Sequence, residues 1–171
     1  MKLPQIKWLA LTGIIVITAL TRILPHPPNF TPIAAIGLFG AAHFAKKYWA
    51  VIIPAAALLL SDFVMGYTPN LSVYASFAAI SLLGLVSLKK ISTVNVVGAS
   101  LASSVLFFVI TNFAVWYGGR MYPPTLEGLG ICYAAAVPFF GNTVFGDLFY
   151  SFFLFVGYHF LHKKYLIPNI A

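Results

Sequence analysis

Charge is what this sequence has least of. Of its 171 residues only 8% are Asp, Glu, Lys or Arg, and just three are acidic. A soluble domain of this size cannot wet its exterior with so few charges, so an integral membrane protein is the reading. Cysteine occurs once, at Cys132, which excludes an intrachain disulfide and a cysteine-based metal cluster. The signatures of catalysis are missing as well: there is no HExxH, GxSxG, GxGxxG or GxxxxGK(S/T) string. No linker, low-complexity tract or convincing repeat interrupts the chain, and no appended soluble domain is expected to house an active site. The chain therefore reads as one domain, 1–171, that is not an enzyme and uses no cofactor.

What is present is apolar: 61% of the residues are hydrophobic. The scarce charges are also sorted. The eight lysines fall at Lys2, Lys7 and the doublets Lys46-Lys47, Lys89-Lys90 and Lys163-Lys164. Between these sites lies enough apolar sequence for helical hairpins that cross a bilayer twice. Lysine gathers on the cytoplasmic side of membrane proteins, so the doublets mark the inner ends of those hairpins and both termini are placed inside. The net charge of +7 is then explained by orientation and by anionic lipid head groups, and no nucleic-acid partner is implied.

This topology predicts an all-α, compact six-helix bundle with spans over approximately 8–24, 31–45, 48–65, 72–88, 94–117 and 142–162. The first stretch imitates a signal peptide but is followed by no convincing cleavage pattern, so a retained helix is expected. The second span, rich in Gly37, Gly40, Ala41 and Ala42, is short enough to pack in the centre of the bundle. Gly130 to Phe140 is too short to span and contains Pro138, so it predicts a short outer or re-entrant helix ahead of the last span. A seventh crossing there would put Lys163-Lys164 on the wrong side.

Both arginines and all three acids fall away from the lysines. Arg22, Asp62, Asn112 with Trp116, and Asp147 belong to four different spans near their outer ends. Charged groups inside a bilayer are costly and usually face the bundle interior. Together these residues predict an outward-facing pocket for a small organic solute, with Arg22 or Arg120 pairing with Asp62 or Asp147. Tyr67, Tyr74, Trp116 and Tyr150 would supply walls, and Asn142 and the loop residues His26 and Asn29 would lie at its mouth. The competing account is structural: aromatic residues and arginines anchor helices at interfaces, and the acids close salt bridges or cap helices. Glu127 and Tyr122 read as a solvated loop. His43, His159 and His162 have a spacing that permits a three-imidazole metal site, but no inner carboxylate is expected to support one, and interfacial anchoring is preferred.

Four strings are distinctive: Thr21-Arg22-Ile23-Leu24-Pro25-His26-Pro27-Pro28-Asn29-Phe30-Thr31-Pro32, Ser61-Asp62, Thr111-Asn112-Phe113 with Trp116, and Pro138-Phe139-Phe140-Gly141-Asn142-Thr143 with Gly146-Asp147. Over nearly the whole chain they resemble a bacterial family of uncharacterised membrane proteins described as transport proteins. More remotely, the architecture is similar to the S components of energy-coupling-factor vitamin transporters. That resemblance implies a location in the bacterial cytoplasmic membrane, vitamin uptake, and docking to an energising membrane subunit with ATPases. The chain departs from that family's paired alanines four apart on the first helix, having Ala10, Gly13 and Ala19 instead. It also lacks the cysteine that cobalamin-transporting relatives carry near the third-span turn, and Cys132 lies elsewhere. Two other functions are consistent with the residues. One is a scaffolding subunit similar to small rod-shape-determining proteins; the other is a small proton- or ion-coupled carrier.

Overall fold

The computed structural model describes residues 3–119 and 121–163. Among them there is no strand. Helix α1 (Leu3–Leu20) runs into a 3-10 turn, Thr21–Ile23, and is followed by α2 (Ile33–His43), α3 (Lys47–Val64), α4 (Leu71–Ser87), α5 (Thr93–Tyr117) and α6 (Leu126–Leu161). The starts of three helices are written locally. The side chains of Asn70, Ser92 and Thr125 accept from the backbone N–H of Ser72, Asn95 and Gly128, filling donors that each helix leaves unpaired.

Four helical segments are long and apolar enough to cross a membrane: Gln5–Ile23, Lys47–Val64, Thr93–Tyr117 and Leu126–Leu161. Much of their apolar surface faces outward. Over the apolar 18-residue stretch of each, only 17% of the residues of the first and 28% of those of the third are buried within the protein, a distribution that suits lipid and not water. The other two helices are shorter, with 11 residues in α2 and 17 in α4. At 1.5 Å per residue α2 is about 16 Å long, roughly half the apolar thickness of a bilayer.

The expected central position of α2 is what the structure shows. Every residue from Ile33 to Ala41 is buried, and α2 packs against all five other helices. Small side chains make this crowding possible. A methyl group placed on Gly40 would sit 2.6 Å from Cγ of Pro54 and 2.8 Å from the Ala50 carbonyl oxygen, so α2 and α3 approach backbone to ring. Two of the buried serines keep their hydroxyls within their own helices: Ser76 donates to Ser72 O at 2.7 Å and Ser103 to Ala99 O at 2.8 Å.

The last helix departs from the sequence expectation. The short element predicted over Gly130 to Phe140 is not separate; it is part of α6, which runs unbroken for 36 residues, about 54 Å. The expected start near Asn142 lies sixteen residues inside it. Thr125, after Pro123-Pro124, is the true N-cap. Pro138 is accommodated within α6 as Pro54 is within α3, because packed neighbours in a membrane bundle tolerate one missing hydrogen bond. The other elements match their expected bounds within a few residues, α1 beginning earlier and α2 being shorter at both ends.

Most of the lysine sites share one end of the bundle. Lys7, His43, Ile91 (next to Lys89-Lys90) and His162 (next to Lys163) line one cavity there. At the opposite, far end Asn70, Ser72, Gly118 and Met121 line another.

Candidate functional site

Two acidic side chains are buried, and they have different company. Asp62 stands two residues from the end of α3, 4% exposed. Arg22, projected by the 3-10 turn after α1, donates from Nη1 to Asp62 Oδ1 at 2.6 Å and to Ser61 Oγ at 2.6 Å. Ser61 in turn donates to the Leu58 carbonyl at 2.8 Å. The remaining carboxylate oxygen accepts from Tyr74 Oη of α4 at 2.8 Å. Even the main chain of Asp62 is used, its carbonyl accepting from Tyr67 N–H at 2.8 Å. One cation and two hydroxyl groups thus close a network across α1, α3 and α4, and of the two pairings expected for Arg22 this is the one formed.

Asp147 lies on α6 and is 3% exposed. Its partner is Ser104 of α5, whose Oγ is 2.6 Å from Asp147 Oδ2. Among the described residues no cation is paired with it. Its neighbour Gly146 explains how it is enclosed. A methyl group there would lie 3.0 Å from Thr31 N and 3.1 Å from Phe30 Cα, so the segment entering α2 rests directly on the α6 backbone. One turn of α6 further on, Tyr150 Oη is 3.1 Å from Thr21 Oγ1, and its ring lies 5.7 Å from that of Phe30. One turn earlier, Asn142 Nδ2 donates to the Pro28 carbonyl at 3.0 Å. Residues 21–31 therefore connect the two buried acids: Arg22 holds one while Pro28, Phe30 and Thr31 cover the helix that carries the other.

The structure brings some of the sequence-derived site residues together and separates others. Arg22, Asp62 and Tyr74 form one cluster, and Asp147, Asn142 and Tyr150 lie along one stretch of α6. Asn112 turns back on its own helix, donating to the Phe108 carbonyl at 2.8 Å. Trp116 Nε1 donates to the Pro123 carbonyl at 3.0 Å, tying α5 to the start of α6. His26 and Tyr67 are exposed, and His26 Nδ1 is 3.0 Å from the Pro27 carbonyl. Asn29 is exposed at φ +64°, a left-handed turn that asparagine tolerates. Arg120 lies outside the described residues. The three histidines do gather at the lysine end. There His43 Nδ1 bonds the Phe39 carbonyl at 3.0 Å, and among the described residues no three metal-ligating side chains are placed to hold an ion.

Three residues beside Asp147 escaped the sequence reading. Ser100 and Ser151, one turn toward the lysine end on each helix, are hydrogen-bonded Oγ to Oγ at 2.8 Å. Ser104 Oγ is also 3.1 Å from the Ser100 carbonyl. The signal existed: Ser100 and Ser104 are four apart, as are Asp147 and Ser151, which places each pair on one helix face.

No curated protein and no solved structure matches the chain significantly. A family profile does match, over residues 2–170, and by that match the chain belongs to the family of unknown function DUF6580.

Proposed function

We propose that this protein is a membrane subunit or solitary transporter that captures a small, vitamin-like organic solute at the far end of the bundle, beneath residues 21–31. The observation that carries this reading is Asp147, a buried carboxylate whose one bonded side chain among the described residues is an uncharged serine. A buried charge is retained at a cost of several kcal/mol unless something compensates it. A donor group on a solute, admitted when the covering segment lifts, would do so. Arg22 and Tyr150 flank that segment. In this reading all six helices cross a bacterial cytoplasmic membrane with both termini inside. The first turns of α6 then act as the outer element before the last crossing. An energising membrane subunit with ATPases is the partner that the architecture suggests.

The scaffolding reading draws on the other acid, because Asp62 is fully satisfied within the protein. Native mass spectrometry and thermal-shift screening of the purified protein against small organic solutes separate the two. A retained or stabilising solute whose affinity drops about tenfold or more in Asp147→Asn supports capture. If nothing is retained and no solute stabilises the fold, capture is wrong and a structural role takes its place.

A further inference from the structure

The position of Ser104 has a chemical consequence. A serine hydroxyl carries one hydrogen and two acceptor lone pairs. Its Oγ is within reach of both Asp147 Oδ2, at 2.6 Å, and the Ser100 carbonyl, at 3.1 Å. When the carboxyl is ionised, Ser104 donates to it. When the carboxyl carries a proton, that proton is donated to Ser104 Oγ and the serine hydrogen turns to the Ser100 carbonyl. Ser104 can therefore bond Asp147 Oδ2 in either protonation state by a rotation of one hydroxyl, with no movement of either helix. A purely structural carboxylate has no need of this, and Asp62, held by a guanidinium, has nothing like it.

A route for the proton lies on the same seam. Ser100 and Ser151 form a second rung one turn, about 5.4 Å, toward the lysine end. These two serines also line a cleft of about 370 Å³ between α5 and α6, which continues past Ser92, Thr93 and His159 toward the lysine-bearing turns. At about 30 Å³ per molecule the cleft has room for several waters, whose side-chain partners would be Ser92, Thr93, Ser100, Ser151 and His159, the rest of the lining from Val96 to Phe160 being apolar. We propose that Asp147 is a proton-binding group reached from the lysine end through this cleft and the Ser100–Ser151 rung. The step is a transfer alone: a proton leaves water in the cleft and ends on Asp147, and no other bond changes.

Among the described residues Asp147 is the carboxyl group on this seam. Helix α5 presents Ser104 and has no ionisable side chain before Tyr117 at its far end. On α2 the ionisable residue is His43, at the lysine end. The segment before α2 offers the backbone of Phe30 and Thr31, His26 being exposed, and Arg22 and Tyr74 are held on Asp62. On α6 itself Tyr150 meets Thr21, and His159 lies at the cleft. As a coupling device this proposal rests on the solute-capture reading, but proton uptake is measurable with no solute present, so the two fail separately.

The test is infrared difference spectroscopy on the full chain in nanodiscs, first at equilibrium against pH and then after a rapid pH jump. A carboxyl C=O band should titrate, vanish in Asp147→Asn and change frequency in Ser104→Ala, which reports the same group if the first variant does not fold. Replacing Ser100 and Ser151 by alanine should slow its appearance roughly tenfold or more without moving the endpoint. Ser151→Thr, which keeps the hydroxyl, should retain the rate, and so should Thr143→Val on the opposite side of Asp147. The proposal is overturned if no band assignable to Asp147 titrates or if the serine variants leave the rate unchanged. It is equally overturned if Thr143→Val slows uptake, or if the band answers to sodium at constant pH.

Discussion

Asp62 and Asp147 are the same residue, buried to almost the same degree, in neighbouring parts of one small bundle. Their difference lies in what surrounds them. Asp62 has a guanidinium, a phenol and a main-chain turn bound to it; Asp147 has one serine hydroxyl. The first arrangement joins α1, α3 and α4 and gives each carboxylate oxygen a partner within the protein. The second leaves a carboxylate in need of a partner, under a segment that crosses α6 with only a glycine between them. Burial alone would have ranked the two acids equally. Compensation separates a brace from a site.

The comparison can be broken most forcefully at the brace. Arg22→Ala leaves Asp62 buried without its cation and should cost about 3–5 kcal/mol, read as a large loss of thermal stability in detergent. A loss below about 1 kcal/mol would mean the pair contributes no more than a surface salt bridge. Tyr74→Phe removes one hydrogen bond to a charged acceptor and should cost about 1.5–3 kcal/mol in the same assay. Gly146→Ala tests the cover over Asp147. Its methyl would press on Phe30 and Thr31, costing about 1–3 kcal/mol by overpacking and increasing protease cleavage within residues 24–31 as the segment lifts. The smallest effect belongs to Ser151→Ala, about 0.5–1.5 kcal/mol for one neutral hydrogen bond, so that its slowing of proton uptake stands apart from any loss of fold.

The two regions were not equally legible in the sequence. The lysine doublets and apolar runs give the helices, their order and the common lysine end, because charge sorting and hydropathy are one-dimensional signals. The small residues of α2 foretell its burial for the same reason. The start of α6 was misread because proline and glycine at 138 and 141 ordinarily end a helix, whereas packing against α5 carries this one through. In the site, the acids were visible as rare charges in an apolar chain, but their partners depend on helix rotation. Arg22 with Asp62 was one of several allowed pairings. Asn112 and Trp116, which share a face as expected, spend their hydrogen bonds on Phe108 and Pro123. Ser100, Ser104 and Ser151 gave no signal on their own, since most helix serines, like Ser76 and Ser103 here, bond their own backbone.

Thermal unfolding of Asp62→Asn and Asp147→Asn, measured side by side in the same nanodiscs, tests the distinction most directly. Both substitutions remove a charge and keep the shape. The account predicts that Asp62→Asn is strongly destabilised, having orphaned Arg22, while Asp147→Asn is as stable as the wild type or more so, because Ser104 still finds an acceptor and a costly buried charge is gone. Equal destabilisation of the two variants would contradict it, and would make Asp147 a second brace.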